Sequence, residues 1–165
     1  MSPLYEERQR FNIPWLKYLI LLPALFVWYI FYEQIILNKP WGKNPAPDAV
    51  VVMLVALIGI LIPLLFLKTE LILQVRTDGF YYRFFPFHRR FHYLLWTDIA
   101  RYERITFSAI KDFGGYGIRY ARGEKIFVFQ GKEGIRFYLR NGKRVVFSAA
   151  RVESLSTAIS SVSGL

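Results

Sequence analysis

Two long apolar runs with only eleven residues between them restrict the architecture of this chain more than any other feature. The first, WLKYLILLPALFVWYIFYEQIIL, spans Trp15 to Leu37; as a helix its 23 residues extend roughly 34 Å, enough to cross a ~30 Å hydrocarbon core. Lys17 and Glu33 sit near its opposite ends, and Trp15, Tyr18, Trp28, Tyr29 and Tyr32 suit interfacial belts. A cleaved signal peptide would need a shorter apolar run and small residues at a cleavage site, and YEQIILNKPWGK has no such site. The second run, AVVVMLVALIGILIPLLFL, spans Ala49 to Leu67, 19 residues without a charge. Pro23, Gly59 and Pro63 predict helix irregularities that concern packing rather than transport, since neither run carries an ionisable residue at mid-depth.

The connector, NKPWGKNPAPD (Asn38 to Asp48), is short enough to force an antiparallel hairpin with both chain ends on one side. Charge suggests which side. Arg8, Arg10 and Lys17 precede or enter the first run, and Lys68 and Arg76 follow the second, whereas the connector has only Lys39 and Lys43. Residues 1–67 hold five Lys/Arg and four Asp/Glu, net +1; residues 68–165 hold seventeen and eight, net +9. The positive-inside rule therefore places both termini in the cytoplasm. The expected organisation is a cytoplasmic N-terminal tail (1–12), a transmembrane helical hairpin (13–67, spans about 15–37 and 49–67, loop 38–48) and a basic body (68–165).

Within the body the apolar period changes to two. Strands are expected at LILQV (Leu71 to Val75), FYYRFF (Phe80 to Phe85), FHYLLW (Phe91 to Trp96), RYERITF (Arg101 to Phe107), GIRY, KIFVFQ (Lys125 to Gln130), GIRFYLR (Gly134 to Arg140) and KRVVFS (Lys143 to Ser148). Asp78–Gly79 and Asn141–Gly142 supply hairpin turns. The final segment, AARVESLSTAISSV, has helical spacing, with Val152, Leu155, Ile159 and Val162 on one face and Ser148 as the expected N-cap.

A meander of about seven antiparallel strands closed by one C-terminal helix resembles a pleckstrin-homology (PH) fold. Joined to a two-helix hairpin, the chain is similar to bacterial two-transmembrane-helix membrane proteins that carry a cytoplasmic PH-like domain, an uncharacterised group. The likeness rests on TDGFYYRFFPF, W-T-D-I, GGYGIR and GKEGI-F-L-NGKRVVFS, within residues 10–160. It implies that the pieces on either side of WTDIAR are one interrupted strand. Ser148–Ala149–Ala150 stands where relatives have a polar turn with Pro and Glu, a departure that touches only the start of the helix.

The stretch FGGYGIRY asks whether its glycines cradle a phosphate. Nucleotide loops place glycines before a helix, whose N-terminus supplies the field. Gly114, Gly115 and Gly117 lead into a strand, so the expected role is a corner with positive φ; weak anion binding by the loop, through Lys111, Gly114, Gly115 and Arg119, is the minor alternative. With no cysteine and two histidines, thiolate chemistry is excluded and metal chemistry is narrow. His88 and His92 lie in an expected hairpin without a matching acidic ligand, so no metal is expected. Asp98, Glu103 and Asp112 are too scattered for an acid–base pair, and no serine sits in a nucleophile elbow. No enzyme and no cofactor are expected. GKEGIRFYL lacks the core of the RNA-recognition motif, so no nucleic-acid partner is expected either.

The remaining candidate is PFHRRF. The first strand of the body leaves the second span and the next strand returns, bringing Phe87, His88, Arg89 and Arg90 back toward the bilayer, with Lys68 and Arg76 as further cations for a membrane-surface contact. The expected function is a membrane-anchored binding or scaffolding module whose partner is another protein, with anionic lipid alongside. The alternative is a small accessory subunit of a membrane enzyme or transporter, recognised through its helices.

Overall fold

The computed structural model describes residues 3–10, 14–121 and 123–164. It divides into two compact units: residues 12–68 form one, and residues 1–11 together with 69–165 form the other.

The chain opens with a strand, β1 (Tyr5–Arg10). The helical unit follows: α1 (Pro14–Phe31) ends in a π-helical turn (Tyr32–Ile36), and α2 (Asp48–Leu54) runs through a π-helical stretch (Val55–Leu61) into α3 (Ile62–Lys68). Trp15–Ile36 and Asp48–Lys68 are each long and apolar enough to cross a membrane. Only 11% of each apolar window is buried, which distinguishes them from the core helices of a globular protein. Their buried apolar residues are small ones, Ala24, Val27, Val51 and Val55, while Leu19, Leu22, Leu25, Phe26, Leu61 and Leu65 face outward. Small residues at the seam let helix backbones approach closely.

Pro63 explains one irregularity. It has no N–H to give the carbonyl four residues earlier, that of Gly59. The Trp28 indole Nε1–H donates to that carbonyl at 3.3 Å. A Cβ at position 59 would lie 2.9 Å from the same nitrogen, so the glycine makes room for the donor. At the tip, Gln34 Nε2 donates to the Ala46 carbonyl (2.6 Å) and to Asp48 Oδ1 (2.8 Å), holding the connector closed.

The second unit holds β2 (Glu70–Val75), β3 (Gly79–Phe85), β4 (His92–Leu95), β5 (Ile99–Thr106), a short helix α4 (Ala109–Phe113), β6 (Gly117–Ala121), β7 (Glu124–Val128), β8 (Glu133–Leu139), β9 (Arg144–Ser148) and α5 (Val152–Ser163). The strands form two sheets, in the orders β1-β2-β3-β4 and β5-β8-β9-β7-β6. Leu71, Leu73, Val75, Phe80 and Phe84 of the first sheet meet Phe127, Phe129, Ile135, Phe137 and Phe147 of the second. Val152, Leu155 and Ile159 of α5 join this core. Phe127 and Phe147 stack with centroids 5.0 Å apart, and Phe80 lies 4.9 Å from Phe137. A smaller cluster, Phe107, Ala109, Phe113, Ile126, Val128 and Val146, packs α4 on the other face of the second sheet.

Four sequence expectations need correction. Nine strands are present among the described residues, not about seven, and the ninth is β1, within the expected N-terminal tail. Residues 1, 2, 11 and 12 of that tail lie outside the described residues. The pieces flanking WTDIAR are separate strands: β4 pairs with β3 in one sheet, β5 with β8 in the other, and a 3-10 turn (Trp96–Asp98) carries the chain between them. The strands are not all antiparallel, because the β8–β9 hairpin inserts between β5 and β7 and sets β9 parallel to β7. Ser148 does not cap α5; it ends β9, fully buried, and Arg151 occupies the N-cap position.

Candidate functional site

The β3–β4 connection is the candidate surface, and its sequence divides it into two faces. The Phe85–Pro86 peptide is cis, and the His88 N–H donates to the Phe84 carbonyl at 2.7 Å, so the chain turns sharply. His88 points inward. Its ring lies 4.2 Å from that of His92, 5.8 Å from Phe127 and 5.9 Å from Tyr82, and its Nδ1 faces the Phe84 N–H at 3.4 Å. Burial pushes its pKa down to about 4, with His92 and Lys125 adding repulsion against a second positive charge. Phe87, Arg89 and Arg90 point outward, Phe87 with 72% of its surface exposed. Phe91 is half-buried beneath the Arg83 guanidinium, 5.0 Å from its ring centroid.

Register locates this loop. Glu70 pairs with both Arg10 and Phe85, so the loop after Phe85 lies at the end of the first sheet where the chain leaves β1 and re-enters at β2. Arg76 is at the other end of β2, roughly 20 Å away at 3.3 Å per residue. There it bonds Gln74 Oε1 through Nε (3.1 Å) and Nη2 (2.7 Å), and its guanidinium covers the Tyr81 ring at 4.2 Å. The same guanidinium lies 5.8 Å from the ring centroid of Phe91, the last residue of the β3–β4 connection. Lys68 ends α3 and is exposed.

The glycines form the expected positive-φ corner, and it closes a short helix, α4, that the sequence pattern does not announce. Ser108 caps α4, its Oγ accepting from the Lys111 N–H at 3.5 Å, while Asp112 Oδ2 accepts from the Ser108 N–H at 2.7 Å. Gly114, Gly115 and Gly117 have φ of 72°, 131° and 98°, the left-handed region where a side chain is strained. The Gly114 N–H donates to the Ile110 carbonyl and the Gly115 N–H to that of Ala109, closing the helix. Both amides are therefore taken, which removes them from the anion-binding set. Lys111 is exposed beside the corner, and Arg119 Nε donates to the Tyr116 carbonyl at 3.1 Å.

The scattered acids are held locally. Glu103 Oε1 accepts from Arg136 Nη1 (2.7 Å) and the Tyr138 hydroxyl (2.8 Å); these bonds, the arginine's first, hold its carboxyl below the usual range. Buried Glu124 lies between Arg136 (3.3 Å) and Arg144 (3.1 Å). No group of three or more His, Cys, Asp or Glu that could hold a metal occurs among the described residues.

One buried polar cluster has no apolar signature in the sequence. Glu7 is 3% exposed. Its Oε1 accepts from Gln9 Nε2 (2.6 Å) and the Ala150 N–H (2.8 Å), its Oε2 from the Tyr5 hydroxyl (2.6 Å) and the Arg151 N–H (3.1 Å). Gln9 Nε2 also donates to the Ser148 carbonyl, and the Ser148 hydroxyl donates to Gln9 Oε1 at 2.9 Å. Burial, then the bond to Glu7, raises the Tyr5 pKa. Every polar atom named is used within the chain, so the cluster joins β1 to the start of α5 and has no free valence for a ligand.

The profile of a family described as a family of unknown function (DUF6141) matches residues 4–164. The chain belongs to that family. Membership in DUF6141 covers the helical hairpin and the sheet body together, including β1, so both units are parts of one family pattern. No curated protein and no solved structure matches the chain.

Proposed function

We propose that this DUF6141 chain is a bacterial inner-membrane protein with both termini cytoplasmic, whose PH-like body is a binding or scaffolding module held against anionic lipid. What supports the reading is one register. Arg10 and Phe85 both pair with Glu70, so the exposed Phe87–Arg89–Arg90 loop shares an end of the sheet with the two points where the chain passes to its apolar hairpin. An exposed aromatic and two cations at such an end suit the headgroup region, at about 1 kcal/mol per Lys or Arg near an anionic surface. The accessory-subunit reading draws on the outward leucines and aromatics of the helices, and exchange of those helices for an unrelated hairpin separates it: a scaffold keeps working and a subunit does not.

The chain has no cysteine, so one introduced thiol reports one place. Phe87→Cys, labelled with an environment-sensitive fluorophore in nanodiscs, should shift to the blue when phosphatidylglycerol is added to phosphatidylcholine. The shift should vanish with Arg89→Glu and Arg90→Glu together. Emission indifferent to lipid charge would refute the headgroup contact. In spheroplasts an impermeant maleimide should label Lys43→Cys from outside and leave Ser163→Cys unmodified; the reverse pattern would invert the topology.

A further inference from the structure

We infer that the groove at the ends of β7, β8 and β9 is a binding site for a soluble organic anion, one phosphate or carboxylate group carried on a flat apolar body. This goes beyond the proposed lipid contact, which lies in the β3–β4 connection. On β7 the row that faces the first sheet is Lys125, Phe127 and Phe129. On the parallel strand β9 it is Val145 and Phe147, with Lys143 two places before them. The phenylalanines are fully buried, so alternation calls for hydrophobes along both rows, yet each row begins with a lysine. Lys125 is half-buried, its Nζ 5.1 Å from the Phe127 ring centroid and 5.9 Å from that of Tyr120. An ammonium held over rings gives up part of its hydration, and an anion within reach restores what is lost.

The groove has a volume of about 610 Å³, and its lining, which includes both lysines, comes from β6 to β9 alone. A space of this size takes a small molecule of one or two rings. Leu139 and Val145 give it an apolar floor, and the Tyr120 ring, 76% exposed, gives it a face to stack on. One carboxylate reaches the groove, that of Glu124, and two arginines already hold it, Arg136 at 3.3 Å and Arg144 at 3.1 Å. Neither Lys125 nor Lys143 has an ion-pair partner among the described residues. Both cations are thus left without a counter-charge beside an apolar floor. The complementary ligand has an anionic end and an apolar body; a bare inorganic anion leaves the floor unused, and a neutral ring leaves the lysines unused.

The test uses full-length protein in phosphatidylcholine nanodiscs, with leucine and valine methyl groups labelled for NMR and naphthyl phosphate as the probe. The methyl signals of Leu139 and Val145, assigned by substitution, should shift saturably, while those of Leu155 in α5 stay in place. Naphthol and inorganic phosphate should each bind about tenfold more weakly than the probe. Lys125→Gln and Lys143→Gln should each raise the dissociation constant about fivefold. Lys132→Gln removes a charge outside the groove and should leave it unchanged. Leu155 signals in their wild-type positions show that each variant is folded. Equal binding of naphthol and its phosphate, a dissociation constant indifferent to both lysine substitutions, or no saturable shift would overturn the inference. Phosphatidylglycerol added to the discs without probe should leave the Leu139 and Val145 methyls in place; if it shifts them, the anion is a lipid headgroup and the soluble occupant is refuted. Failure here leaves the lipid contact standing, because that is read from the probe at position 87.

Discussion

His88 shows how a loop residue packs against the edge of a core while its sequence neighbours face outward. Its neighbours are rings and an ammonium, and the folded protein keeps it neutral down to about pH 4. The folded pKa lies below the ordinary 6.5, so the unfolded chain binds more protons between these values. The stability due to neutral His88 is complete above about pH 6.5 and is lost as pH falls toward 4. Thermal melting across this range should show the decline in the wild type and a shallower one in His88→Phe, which keeps the ring without the titration. Parallel curves would show that other groups carry the effect. In sequence His88 shares a polar run with Arg89 and Arg90 and so resembles a surface residue. Only the sharp turn at Phe84–His88 separates them, and a tight turn reverses side-chain direction within one residue, which alternation cannot express.

At the level of elements, legibility followed the apolar pattern. The eight strand segments of the body are rich in Leu, Ile, Val, Phe and Tyr, some alternating with polar residues and some, such as Leu71–Leu73 and Ile126–Phe129, continuously apolar, and each appears as a strand. β1 alternates too, but its inward residues are Tyr5, Glu7 and Gln9, and a period of two without hydrophobes gives no burial signal. The partners that make this burial tolerable, Ser148, Ala150 and Arg151, lie about 140 positions away. The α4 helix was hidden for another reason, since five residues are too few for a helical period. Removing the carboxylate of β1 should expose the cost of its partners: Glu7→Ala leaves the Ala150 and Arg151 amides and the Tyr5 hydroxyl without an acceptor. A loss of about 2–4 kcal/mol is expected in denaturant titration, with Glu7→Gln losing less. An unchanged midpoint for Glu7→Ala would mean that β1 adds little to the body.

For the whole molecule, the hairpin is an insertion between two adjacent strands of one sheet, β1 and β2. Length and hydropathy make the hairpin legible, and the end of the second apolar run implies a boundary at residue 68. The body's true edge is discontinuous, because its first strand precedes the helices. A fragment of residues 69–165 therefore exposes β2 along one side and leaves the Ala150 and Arg151 amides without their acceptor. It should aggregate or show a broad melting transition, and a peptide of residues 3–11 supplied in trans should sharpen that transition. A fragment that melts cooperatively without the peptide would contradict this account.

During synthesis Tyr5–Arg10 emerges first and has no sheet to join until Glu70–Val75 follows, some sixty residues later. Under the proposed topology both segments meet only if the helices have gone across and come back. A molecule threaded with its amino end on the far side would leave Glu7 in the wrong compartment and β2 unpaired. Under that topology, pairing of Tyr5–Arg10 with Glu70–Val75 requires both segments on one side, and a misthreaded copy would carry an open β edge.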